Sequence, residues 1–177
     1  MTPPGADLNP ESRKLDLSDL MRVGDTALRK HLHAQAVVAR KTHGPLFFEN
    51  LEALLSDPAC LRYPTRLVFE FGEMASHQFA QPGIDPRDPD QHRRVLYLRP
   101  LLRPQPALVV LAVAYMIPAI NYGDVITDDH CLLYGATLLE LTEEEFYRRI
   151  CDLADRVGAV ASPDVGPRSP EGSAACQ

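Results

Sequence analysis

Apolar residues near the start of the chain recur with a helical rhythm. Leu17, Leu20, Met21, Leu28, Leu32 and Val38 define one face of a helix predicted from Ser18 to about His43. Ser18 can cap its start, and Gly44-Pro45 stops it beyond the basic Lys41 and His43. A short second helix is predicted from Phe48 to Leu55, ending before Pro58.

The period then changes. From Thr65 to Phe71, Leu67, Phe69 and Phe71 alternate with Arg66, Val68 and Glu70, the pattern of a strand with one apolar face. A second strand is predicted from Arg94 to Arg99. The stretch between them centres on AQPGIDPRDPDQ, whose prolines and aspartates read as loop.

The run from Ala107 to Ile120 is almost wholly apolar. With Pro106 suited to a first helical turn, it reads as a core helix ending near Asn121 and Gly123 and kinked or shortened by Pro118. A buried strand over Leu108–Ala114 is the alternative. Fourteen apolar residues are fewer than the roughly 20 a bilayer span needs, so no membrane role is expected.

Residues 128–140 carry Leu132, Leu133, Ala136 and Leu139 at helical spacing, weakened by Gly135. The last helix has the strongest local signature. Thr142 and Glu145 form a capping box, Leu141 and Phe146 a hydrophobic staple, and Phe146, Ile150, Leu153 and Val157 one stripe that Gly158 closes.

The fold class that follows is α+β: about five helices packed on a small antiparallel sheet, with the 107–120 element central. One domain is predicted over 17–158. Residues 1–16 and 159–177 are rich in Pro and Gly and poor in large apolar groups, so both ends are predicted to be disordered.

Composition narrows the function. The chain has 177 residues, 45% hydrophobic and 24% charged, enough to build a core without staples. Net charge is −6. That disfavours nucleic acid and anionic membrane as partners, despite Arg93, Arg94, Arg99 and Arg103 lying close together. The four cysteines, at 60, 131, 151 and 176, show no Cys-x-x-Cys pair. With no secretory pattern at the N-terminus, the expected location is the cytoplasm, with free thiols.

The sequence contains no nucleophile elbow, phosphate loop, dinucleotide fingerprint or His-Glu-x-x-His. Its best chemical candidate is a split set of acids and imidazoles. If residues 73–77 are helical, Glu73 and His77 share a face one turn apart. Asp124, Asp128, Asp129 and His130 crowd the start of a later helix, where aspartates also serve as ordinary caps. Glu73, His77, Asp128 and His130 are therefore the candidate ligands for a divalent metal such as Zn, Mn or Fe. Tyr115, Asn121, Tyr122 and Asp124 are the candidate pocket residues, because the run YMIPAINYG combines backbone-shaping residues with hydroxyls.

Two function classes follow. The first is a non-catalytic intracellular accessory or interaction module, with a protein partner or a second copy of itself. The alternative is a metal-dependent, hydrolase-like enzyme using the Glu/His/Asp set.

Overall fold

The computed structural model describes residues 16–161; the predicted tails fall almost wholly outside that range. Helix α1 runs Leu17–His43. Only its second half is buried, through Leu32, Ala36 and Ala39. It ends at Gly44, whose left-handed backbone (φ 69°) lets its N–H reach the Arg40 carbonyl at 2.9 Å. A single 3-10 turn, Phe48–Asn50, leads into helix α2, Leu51–Ser56.

Strand β1 spans Thr65–Val68, β2 Ala80–Ile84 and β3 Arg94–Leu98. They form one sheet in the order β1-β3-β2. β3 lies parallel to β1 and antiparallel to β2. The sheet is thus mixed, which corrects the antiparallel expectation. The cause is β2, which the Pro82-Gly83 pair hides inside an apparent loop. As an edge strand it tolerates a proline that has no N–H to give. Gly83 also lets the strand lie close on Tyr97, whose ring carbon would be 3.2 Å from an added Cβ.

Arg66 on β1 reaches across β3 to Asp85 at the end of β2, in a two-pronged ion pair of 2.6 and 2.9 Å. The Arg66 guanidinium, helped by the Arg87 backbone N–H, holds the Asp85 carboxyl down at about 2. An unfolded aspartate titrates near about 3.9. The folded value is depressed, so this pair stabilises fully above pH ~4 and is lost as pH falls towards ~2. Melting temperatures measured across that window should fall in the wild type, and the fall should be smaller in Asp85→Asn. An unchanged slope in the variant would assign the acid transition to other carboxylates.

Helix α3, Pro106–Tyr122, is the core element: its residues from Val109 to Ala114 are all buried. It continues through Pro118 and does not end early, which excludes the strand alternative. Its window Pro106–Val125 is apolar enough to cross a membrane by length and composition, but 61% of it is buried by the rest of the fold. Helix α4, Asp128–Leu139, packs on α1 and α3. Helix α5, Glu143–Ala161, packs on α4 and α3 through Phe146, Ile150, Leu153 and Val157.

At the start of α5 the Glu145 N–H donates to Thr142 Oγ1 at 3.1 Å, while the Glu145 carboxylate turns to Arg149. Gly158 does not end the helix. It lacks the left-handed backbone a glycine stop requires, and the helix reaches Ala161, so residues 159–161 are helical where a tail was predicted.

Tyr134 is wholly buried, and its hydroxyl has no hydrogen-bond partner. An unpaired buried hydroxyl is a desolvation loss with no return. Tyr134→Phe should therefore raise stability by about 1 kcal/mol, read from chemical denaturation. A loss of stability would mean that the hydroxyl is satisfied in solution.

Candidate functional site

A cavity of about 500 Å³ lies between α3, α4 and α5, closed on one side by the segment His77–Ala80. α3 contributes Tyr115, Met116 and, one helical turn further on, Ala119. α4 contributes Asp128 and Cys131, and α5 presents Tyr147, Ile150 and Cys151.

Tyr115 organises the polar end. Its hydroxyl donates to Asp128 Oδ1 at 2.8 Å. Its ring meets Phe79 edge-on, with centroids 5.7 Å apart, and stacks on Phe146 at 6.5 Å. Burial first, and Asp128 second, push the Tyr115 phenol up. Burial also pushes the Cys131 thiol up to about 12. At neutral pH that keeps the thiol protonated.

The structure brings His77, Tyr115 and Asp128 to this one hollow. Glu73 does not join them. Residues 73–77 form successive turns in place of a helix: the Met74 N–H bonds the Phe71 carbonyl at 3.1 Å, and the Gln78 N–H bonds the Ala75 carbonyl at 3.0 Å. Gly72 enters these turns with a left-handed backbone (φ 54°). The Arg99 guanidinium, itself buried, donates to the carbonyls of Ala75 and Gln78 and straps the segment to the end of β3. Glu73 is left exposed.

His130 faces α1. The Thr127 N–H donates to its Nδ1 at 3.2 Å, which puts the proton of the neutral ring on Nε2. Nε2 lies 3.0 Å from Asp25 Oδ1. His130 is 2% exposed, and its buried Nε2, although close to Asp25, makes no hydrogen bond in this structure.

Asn121 and Tyr122 also work away from the cavity. Asn121 Oδ1 accepts the Arg62 N–H at 2.9 Å, and its amide donates to the Cys60 carbonyl at 3.1 Å. The Tyr122 hydroxyl donates to Gln35 Oε1 at 2.9 Å and lies 2.8 Å from His31 Nε2, joining α3 to α1. Asp124 is exposed in the 3-10 turn Gly123–Val125.

A second cluster escaped the sequence reading. Among the described residues, one set of three His, Cys or carboxylate donors converges within 4.8 Å: His43, Asp57 and Cys60. His43 Nε2 lies 2.9 Å from Asp57 Oδ2, and the Cys60 thiol donates to that same oxygen at 3.5 Å. Asp57 Oδ1 accepts the Ala59 N–H at 2.8 Å. The Ala59 amide first and the imidazole second hold the Asp57 carboxyl below the ordinary range. Burial, and then the charge of Asp57, push the Cys60 thiol up to about 12. The only trace in the sequence is Asp57-Pro-Ala-Cys60, two donors three residues apart in a turn, and nothing local links them to His43.

Compared with family models, curated proteins and solved structures, the chain has no match, and the reading of its function rests on its own geometry.

Proposed function

We propose that the chain is a non-catalytic accessory module that works by binding, and that its ligand is a small molecule with an apolar body and a hydrogen-bond-donating head, such as an amine, held in the α3–α4–α5 cavity. The observation that carries this reading is the cavity itself. Its volume falls in the range of small-molecule sites, and its walls are mostly apolar with a few converging polar groups. Asp128 Oδ1 is already taken by Tyr115, which fixes the carboxylate and leaves its remaining acceptor capacity for a ligand head. His130, which could have served chemistry at the cavity, lies buried against α1 instead. The free thiols of Cys60, Cys131 and Cys151 suit a reducing cytoplasm.

The metal-dependent alternative retains one supporting observation, His77 and Asp128 on the same cavity. It predicts that Zn²⁺ or Mn²⁺ protects the fold and that His77→Ala abolishes the protection.

A thermal-shift screen of amine-headed and neutral apolar compounds tests the binding reading. Amine-headed compounds should raise the melting temperature. Ala119→Trp, which fills the cavity, should weaken them at least tenfold, and Asp128→Asn should weaken amine-headed compounds more than neutral ones. Compounds that bind equally well to folded Ala119→Trp, or a screen without stabilisers, would overturn it.

A further inference from the structure

His43 is the last residue of α1, where the unpaired carbonyls of a 27-residue helix give a negative end that favours a cation. Asp57 immediately follows α2, and Cys60 closes the next turn, its N–H bonding the Asp57 carbonyl at 3.0 Å. Three unlike donors from two helix ends and one turn thus face one point. The Cys60 residue is 3% exposed, and the side chains of His43 and Asp57 are 11% and 21% exposed, so one side of the cluster stays open to solvent.

We propose that His43 Nε2, Asp57 Oδ2 and Cys60 Sγ bind one zinc ion, with the fourth position left to water. The inference is independent of the cavity and of any ligand there. Tetrahedral zinc holds nitrogen and oxygen at about 2.0 Å and thiolate sulfur at about 2.3 Å, which sets the donors roughly 3.3–3.6 Å apart. The observed separations are 2.9 Å for nitrogen to oxygen and 3.5 Å for sulfur to oxygen, with all three donors within 4.8 Å of one another, so the nitrogen–oxygen gap must open by a few tenths of an ångström to admit the ion. A mixed nitrogen, oxygen and sulfur set excludes Mg²⁺ and Ca²⁺, which take oxygen, and suits zinc. On binding, the Cys60 thiol proton leaves to solvent as the zinc–sulfur bond forms, and the proton that His43 Nε2 directs at Asp57 is exchanged through solvent, so that the ring carries its proton on Nδ1 and the Nε2 lone pair meets the metal. The ion would tie the end of α1 to the connection between α2 and β1.

Cobalt replaces zinc in such sites and reports the sulfur ligand. The full-length, untagged, reduced and chelator-treated chain is titrated with Co²⁺ and then with Zn²⁺. A thiolate-to-cobalt charge-transfer absorption should grow to one equivalent and vanish as Zn²⁺ displaces Co²⁺. Cys60→Ser should lose it, whereas Cys131→Ser, Cys151→Ser and Cys176→Ser should keep it. His43→Gln and Asp57→Asn, which retain hydrogen-bonding groups, should each weaken Zn²⁺ at least tenfold in competition with a chromogenic chelator. Absence of the absorption at one equivalent, its persistence in Cys60→Ser, or unchanged Zn²⁺ binding in both His43→Gln and Asp57→Asn would overturn the site.

Discussion

Gly135→Ala is expected to destabilise the protein by roughly 3 kcal/mol, although alanine is the better helix former by about 1 kcal/mol. Gly135 sits inside α4, against the wholly buried Phe146 of α5. A Cβ at that position would stand 2.2 Å from Phe146 Cζ and 2.4 Å from its Cε1. Neither atom can yield cheaply, because the ring also stacks on Tyr115 and belongs to the main core. Expelling the ring altogether would approach the ~3–5 kcal/mol of a Phe→Ala truncation, which bounds the effect from above. For a domain of this size the loss is about 6–12 °C in melting temperature.

A double-mutant cycle tests the mechanism. Phe146→Leu shortens the offending edge, so Gly135→Ala should be at least about 1 kcal/mol milder in that background than in the wild type. A stabilised Gly135→Ala, or strict additivity in the cycle, would show that α4 and α5 do not meet at this point.

Asn121→Ala should produce the second large loss, about 2–4 kcal/mol. The residue is 8% exposed, and its side chain satisfies two backbone groups at once, the Arg62 N–H and the Cys60 carbonyl. Truncation leaves both without a partner at the wall of the core. A buried orphan of this kind costs about 1–3 kcal/mol, somewhat less where water can reach it, as at the exposed Arg62. Asn121→Asp should restore little, since it retains the acceptor for Arg62 but offers the Cys60 carbonyl no donor. Chemical denaturation of both variants checks the claim. Hydrogen exchange at the Arg62 amide adds a local readout, because that amide should lose protection in Asn121→Ala even under native conditions. An unchanged exchange rate would separate Asn121 from the loop it is argued to hold.

These two positions show why part of the fold was legible and part was not. The rhythm of α1, the capping pattern at Thr142 and the apolar stripe of α5 are local signals, and each produced its helix. Gly135 read as a weakness in α4 because its reason lies eleven residues away on another helix, in the ring it makes room for. Asn121 looked like a pocket residue because a polar group after an apolar run suggests a ligand, when it is spent on the backbone of a distant loop. The same holds for the chemistry. Asp128 and Tyr115 meet at the cavity, but His130 is bonded by Thr127 and buried against α1, and Glu73 is left outside by the turns that Arg99 straps down.

By itself, then, the order of residues determined the helices, the α+β class and the central place of α3, because helix periodicity, caps and long apolar runs act within a few turns of chain. Only the tertiary structure decided the parallel pairing of β1 with β3, the strand hidden by Pro82 and Gly83, the walls of the cavity, and the meeting of His43 with Asp57 and Cys60. Those features depend on groups far apart in sequence being brought within a few ångströms, and no local propensity encodes which distant partner a strand edge, an imidazole or a thiol will face.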